Sequence, residues 1–199
     1  MRKITRYMMW KQPLHKWDTY IQNKHKQNKQ CDSWSKYILT NLMHGDTVVY
    51  NCGGLYFTDF QENILVVENK KCPVNTNKTI YMPEEIPADK KFNNLIMINP
   101  ITLKYNFSVS NFLTMATDTR GGLKPCLVNW LTQNNKIFLS FSDWVLYFDR
   151  LRYTVTDMVD MQIHQLEKNN FKCIFSEVGD VNQDTENGNI KLVLQYNNI

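Results

Sequence analysis

The sequence has few residues of the kinds that build disulfide frameworks and metal centres. Its five cysteines are an odd number, are widely spaced and include no Cys-x-x-Cys pair, and its four histidines show no metal-ligand spacing. We therefore expect neither a disulfide framework nor a protein-bound metal, and a reducing cytoplasm fits this cysteine usage best. The sequence signatures of Ser-His-Asp hydrolases, Cys-His proteases, P-loop proteins and metalloproteases are absent as well.

Long apolar runs are also lacking. No segment approaches the roughly 18 to 20 apolar residues that cross a bilayer, and no apolar signal-peptide core follows the basic N-terminus. We therefore expect no membrane partner and a chain that stays in the cytoplasm where it is made. Its 199 residues, 43% hydrophobic and 21% charged, are enough for one folded domain with an appendage.

Positive charge is concentrated at the start of the chain. The net charge of the whole chain is +4, whereas residues 1–30 contain eight basic residues and one acidic residue, Asp18. The basic residues are Arg2, Lys3, Arg6, Lys11, Lys16, Lys24, Lys26 and Lys29. We predict a basic N-terminal arm or helical extension over residues 1–32. It is either a nucleic-acid contact, with Arg2, Lys3 and Arg6 as candidate phosphate ligands, or a solvated extension.

From residue 33 onward, helical and strand patterns alternate. Strand-like runs cover 46–50, 63–68, 79–82, 94–98, 136–141, 171–175 and 189–194. Helical spacing starts at Asp32 or Ser33, after Ser108, at Pro125 (with Leu127, Val128 and Leu131) and at Thr154, which forms a capping box with Asp157. Continuously apolar strands that alternate with helices predict a parallel sheet covered on both faces. The last two strands are too close in sequence for a crossover helix and should pair antiparallel.

This order of elements resembles the class I S-adenosylmethionine-dependent methyltransferases over residues 33–199. Three segments carry the resemblance: LMHGDTVVYNCGG at 42–54, FNNLIMINP at 92–100 and LEKNNFKCI at 166–174. The resemblance implies a Rossmann-like three-layer α/β sandwich. Its sheet would be mostly parallel, with the seventh strand inserted antiparallel beside the fifth and sixth. It also implies S-adenosylmethionine as the methyl donor and S-adenosylhomocysteine as the product.

The resemblance implies three groups of donor-binding residues. After the first strand, Asn51, Cys52, Gly53 and Gly54 stand where the family has a glycine-rich turn that lets backbone approach the cofactor. Glu68 ends the second strand, where a carboxylate accepts both ribose hydroxyls. Glu84 follows the third strand, where the family often has an acidic residue near the adenine amino group. The alternatives are a tight turn for the loop and solvated positions for the two glutamates.

The resemblance also implies an acceptor side. Asn99 and Pro100 end the fourth strand, where amine methyltransferases of this kind have Asp or Asn followed by Pro-Pro-aromatic; here the second proline and the aromatic are missing. In that reading Asn99 and Pro100 orient an acceptor amine, and otherwise proline ends the strand. Asp143, after the fifth strand, is a candidate general base. Arg150 and Arg152, set among aromatics, are candidates for contacts to a base or a phosphate, or for helix–sheet packing.

Two functions follow from these observations. The first is a methyltransferase of unknown acceptor: the basic segment favours a nucleic acid, and a protein or a small molecule is the alternative acceptor. The alternative is a Rossmann-like module without catalysis that serves a virus or phage in the host cytoplasm as a binding or structural component. The compact size, the missing third loop glycine and the short connection between the first two strands favour the alternative.

Overall fold

The computed structural model describes residues 33–50, 64–67, 79–98, 109–114, 126–141, 153–179 and 188–197. The helices in these ranges are α1 (Ser33–Asn41), α2 (Val109–Thr114) and α3 (Val155–Lys168), with 3-10 turns at Pro83–Glu85 and Leu127–Trp130. The strands are β1 (Thr47–Tyr50), β2 (Ile64–Val67), β3 (Ile80–Tyr81), β4 (Phe92–Ile98), β5 (Leu131–Phe141), β6 (Phe171–Val178) and β7 (Ile190–Tyr196). None of these described helices is long and apolar enough to cross a membrane. The predicted N-terminal segment, residues 1–32, lies outside the described residues.

The described strands form one sheet of seven in the order β3-β2-β1-β4-β5-β7-β6. Neighbours from β3 to β5 run parallel, and β7 is antiparallel to both β5 and β6. Each strand overlaps a run that the sequence predicts as a strand. The mostly parallel sheet with an antiparallel C-terminal strand is thereby confirmed.

Helices cover both sides of the sheet because its strands carry apolar side chains on both. Along β1, Val48 and Tyr50 belong to one buried cluster and Val49 to the other. Trp34 and Ile38 of α1 lie in the cluster of Val49, whereas α2 and α3 contribute buried residues to the cluster of Val48. We call these two sides the α1 face and the α3 face. This is the three-layer arrangement that continuously apolar strands predict.

Helix α1 ends at Asn41, and Gly45 forms the turn that leads into β1. Gly45 has a φ of +126°, and a Cβ at this position would lie 2.1 Å from Asn93 Oδ1. The positive φ favours glycine here, whereas only the flexible side chain of Asn93 would have to move for a Cβ. The helix ends four residues before Gly45, so the prediction that Gly45 stops it is wrong: Gly45 shapes the turn into β1.

Helix α3 begins with the capping box that the sequence predicts. Thr154 Oγ1 accepts a hydrogen bond from Asp157 N at 3.1 Å, and Asp157 Oδ2 accepts one from Thr154 N at 2.9 Å. The Thr154 hydroxyl also donates to Asp157 Oδ2 at 2.6 Å. Both hydrogen bonds to the Asp157 carboxylate lower its pKa because they favour the charged form. The bond from the Thr154 side chain has the larger effect, and the bond from the Thr154 backbone has the smaller one.

The prediction of one helix is wrong. We expected a helix from Pro125 that carries Leu127, Val128 and Leu131, but the 3-10 turn Leu127–Trp130 leads directly into β5 at Leu131. Strand β5 therefore begins before the run 136–141 that the sequence predicts. Leu131 pairs with Phe92 of β4, and this long-range pairing overrides the local helical pattern.

Candidate functional site

Three parallel strands end at the same level of the sheet. The last residue of β1, Tyr50, pairs with Val67, the last residue of β2, and Val67 pairs with Tyr81, the last residue of β3. Tyr50 and Val67 are fully buried, so the ends of both strands are held in the core. The described ends of these three strands therefore lie side by side at one edge of the sheet.

The strand order reverses between β1 and β4. From β1 the chain continues outward to β2 and β3, and it then returns to β4 on the other side of β1. In open α/β sheets in general, connections at such a point leave on opposite sides of the sheet and form a crevice outside the carboxyl ends of the strands. Ligands of open α/β sheets bind in this crevice.

The predicted donor-binding loop and Glu68 follow directly from the two buried strand ends. Residues 51–54 come immediately after Tyr50, and Glu68 comes immediately after Val67. Asn51, Cys52, Gly53, Gly54 and Glu68 themselves lie outside the described residues. The residues that precede them in the sequence, Tyr50 and Val67, are paired neighbours in the sheet.

Glu84 is the predicted donor-binding residue that the structure does describe. It lies in the 3-10 turn Pro83–Glu85, just beyond the end of β3, and its side chain is exposed. The adjacent Glu85 is used by the turn itself, since its Oε2 accepts a hydrogen bond from Met82 N at 2.6 Å. Both glutamates are exposed, but among the described residues only Glu85 has a hydrogen bond within the turn, which leaves Glu84 as the candidate ligand.

The predicted acceptor side begins at the ends of β4 and β5. Ile98, the last residue of β4, pairs with Ser140, and Phe141 ends β5 one residue later. Asn99, Pro100 and Asp143 follow these strand ends closely in the sequence, but they lie outside the described residues. The same holds for Arg150 and Arg152 and for Arg2, Lys3 and Arg6 of the arm. Among the described residues, no group of three or more His, Cys, Asp and Glu side chains could hold a metal ion.

The connection between β6 and β7 is anchored at the same edge, which sequence reasoning missed. Gly188 has a φ of +79°, and a Cβ there would lie 2.3 Å from the backbone carbonyl carbon of Phe141. Gly179 N donates to Asn189 O at 2.6 Å and joins the two ends of the connection. The Asn-Gly dipeptide that ends at Gly188 is a turn signal that could have revealed this contact.

No known family model matches this sequence, and no curated protein matches it either. Solved structures do share its fold. An S-adenosylmethionine-dependent methyltransferase from Clostridium acetobutylicum ATCC 824 superposes with a TM-score of 0.54 at 9% sequence identity, over 93% of this chain and 99% of that one. The chain has the fold of the class I methyltransferases.

Two N-methyltransferases show a weaker likeness to this chain. The glycopeptide N-methyltransferase MtfA in complex with sinefungin has a TM-score of 0.48 at 11% identity, over 86% of this chain and 95% of that one. NodS from Bradyrhizobium japonicum WM9 has a TM-score of 0.47 at 7% identity, over 81% of this chain and 90% of that one. The strand order and the likeness to the Clostridium acetobutylicum methyltransferase establish the fold.

Proposed function

We propose that this chain is an S-adenosylmethionine-dependent methyltransferase whose donor binds across the carboxyl ends of β1, β2 and β3. The observation that carries the proposal is the shared level of Tyr50, Val67 and Tyr81. These three residues lie side by side, and in the sequence they are followed by the glycine-containing turn, by Glu68 and by the 3-10 turn with Glu84. A bound nucleoside needs three kinds of contact: backbone that approaches it closely, a hydrogen-bond acceptor for its ribose hydroxyls and another acceptor for the amino group of its base.

Each segment has a separate task in this proposal. Residues 51–54 let backbone approach the donor, and Glu68 accepts hydrogen bonds from both ribose hydroxyls. Glu84 accepts a hydrogen bond from the adenine amino group, a contact that its exposed carboxylate is able to make. The bound donor supplies an activated methyl group, whose in-line displacement depends mainly on proximity and orientation. A conspicuous catalytic constellation is therefore not required.

On the acceptor side, we assign Asn99 and Pro100 to orientation of an amine through amide and carbonyl oxygens. Asp143 accepts the proton that the acceptor loses. We propose a nucleic acid as the acceptor because the arm carries the charge that phosphates attract, with Arg150 and Arg152 as further contacts. A cytoplasmic location and a viral or phage origin stay predictions.

Donor binding tests the proposal. S-adenosylhomocysteine should raise the thermal unfolding midpoint, because a ligand selective for the folded chain stabilises it. Glu68→Ala should abolish this rise, whereas Asp160→Ala, which removes an exposed carboxylate of α3, should leave it unchanged. No shift of the wild-type midpoint at millimolar ligand would reject donor binding and favour the non-catalytic module.

The acceptor class is tested separately. Binding of single-stranded RNA or DNA should weaken steeply with salt, and removal of residues 1–30 should flatten that dependence. An unchanged slope would exclude the arm as the nucleic-acid contact, while the donor-binding result would stand.

A further inference from the structure

Strand β6 is the last strand on its side of the sheet. Within the described residues it pairs with β7 and with no other strand. It spans eight residues, Phe171–Val178. The backbone groups that an edge strand turns away from its neighbour are available for pairing with another strand.

A bulge in β6 changes which residues share a face. Cys173 pairs with Leu194 and Phe175 pairs with Val193. Ile174, between them, is therefore an extra residue that has no pairing partner in β7. Lys172 pairs with Gln195 and Glu177 pairs with Lys191. In a regular strand, residues 172 and 177 would point to opposite sides, since successive side chains alternate. The extra residue brings both to the same side.

That side is the α1 face. Val193 and Phe175 belong to the cluster that contains α1 residues, so Lys191 and Gln195, two positions away in β7, share that side by alternation. Lys172 and Glu177, their partners in β6, lie there too. Both side chains are exposed, and Glu177 Oε1 accepts a hydrogen bond from the Lys191 ammonium on the same face.

The residues on each face of β6 are therefore arranged symmetrically about the middle of the strand. When a second copy of the strand is placed antiparallel about a two-fold axis between residues 174 and 175, Lys172 lies opposite Glu177 of that copy. The same operation places Glu177 opposite the copy's Lys172, so two opposite-charge pairs form at once. The other pairs also match in face, since Phe171 meets Val178 and Cys173 meets Ser176, all on the α3 side.

We propose that β6 is a dimerisation edge and that its partner is β6 of a second copy of this chain. The two charge pairs set the register, because opposite charges directly across a strand pair are favourable and like charges are not. Ile174, whose side chain is 45% exposed, lies at the two-fold axis and is covered by the second copy. Edge bulges usually hinder strand pairing, but here the bulge creates the self-complementary pattern. The proposal does not depend on the proposed enzymatic function.

Two charge reversals give a direct test by sedimentation velocity. Lys172→Glu places two glutamates opposite each other at both contacts, and Glu177→Lys does the same with two lysines. Each variant alone should be monomeric at concentrations where the wild type dimerises. An equimolar mixture should dimerise again, because both contacts then join glutamate to lysine.

The mixture also controls for damage to the fold. Glu177→Lys loses its contact with Lys191, but misfolded variants would not regain dimers with each other. Asp89→Lys, a charge reversal in the exposed turn before β4, should dimerise like the wild type. A wild type that is monomeric at all concentrations would overturn the proposal, as would single variants that still dimerise or a mixture that stays monomeric.

Discussion

The side-chain amide of Asn94 forms two hydrogen bonds with the backbone of Met43. Asn94 Oδ1 accepts from Met43 N at 2.9 Å, and Asn94 Nδ2 donates to Met43 O at 2.9 Å. Nδ2 also donates to Thr47 Oγ1 at 3.0 Å. Asn94 is fully buried in β4, so this residue fixes the connection between α1 and β1 to the centre of the sheet.

Asn94→Ala should lower the free energy of unfolding by about 2 to 4 kcal/mol, since it removes three hydrogen bonds and leaves polar groups without partners. Urea denaturation followed by circular dichroism measures this loss. Asn93→Ala is the matched control. Among the described residues the Asn93 amide has one long contact, 3.5 Å from Nδ2 to Thr132 Oγ1, and its loss should cost less than about 1 kcal/mol. Equal losses for both variants would contradict the special role of Asn94.

Gly188→Ala should lower the free energy of unfolding, because Gly188 packs against Phe141 at the carboxyl end of β5. The alanine would have to adopt a φ of +79° with its Cβ 2.3 Å from a backbone carbon of Phe141, at a cost of about 2 to 4 kcal/mol. Gly179→Ala is the comparison, because its Cβ would meet Asn189 O at 3.2 Å and its φ is not positive. Thermal unfolding should therefore show a larger loss for Gly188→Ala, and the reverse order would refute this account of the turn.

The capping box of α3 should make stability depend on pH. The folded-state pKa of Asp157 is lowered, chiefly by the side chain of Thr154, so the charged carboxylate stabilises the folded chain. This contribution is present above the ordinary aspartate pKa and is lost as the pH falls through the lowered folded value. The unfolding free energies of wild type and Asp157→Asn should thus differ at neutral pH and converge in acid. In a Thr154→Val background the pH-dependent difference should shrink, and a difference that persists unchanged would rule out this origin.

The strands were predictable because their signal is local, and β5 shows where that signal fails. Its first residues include the polar run Thr-Gln-Asn-Asn, which does not resemble a strand. Asn135 in this run is nevertheless fully buried: its Nδ2 donates to Tyr196 O at 3.1 Å and its Oδ1 accepts from Tyr196 N at 3.2 Å. Since the partner lies in β7, far along the chain, no local pattern could identify this part of the strand.

The sequence predicts which residues follow the strands at the candidate site, but it does not predict the register that aligns the strand ends. The sequence indicates that acidic residues follow the second and third strands, but the level at which strands end is decided by tertiary register, as for Val67 with Tyr81. Nor does the sequence distinguish two adjacent glutamates. Only the hydrogen bond to Met82 N shows that Glu85 belongs to the turn, and thereby leaves Glu84 as the candidate ligand.

These two glutamates give a matched test that builds on the proposed donor site. Glu84→Ala should weaken the affinity for S-adenosylhomocysteine by about tenfold, the effect of one charge-assisted hydrogen bond, and should leave the unfolding midpoint of the unliganded chain unchanged. Glu85→Ala should leave the affinity for S-adenosylhomocysteine unchanged and lower the unfolding midpoint. It removes the acceptor for Met82 N, which costs about 1 kcal/mol of stability. Calorimetric titration and thermal unfolding of both variants separate the two effects. Wild-type affinity in Glu84→Ala, beside a loss of binding in Glu68→Ala, would remove Glu84 from the site and keep the donor on β1 and β2 alone.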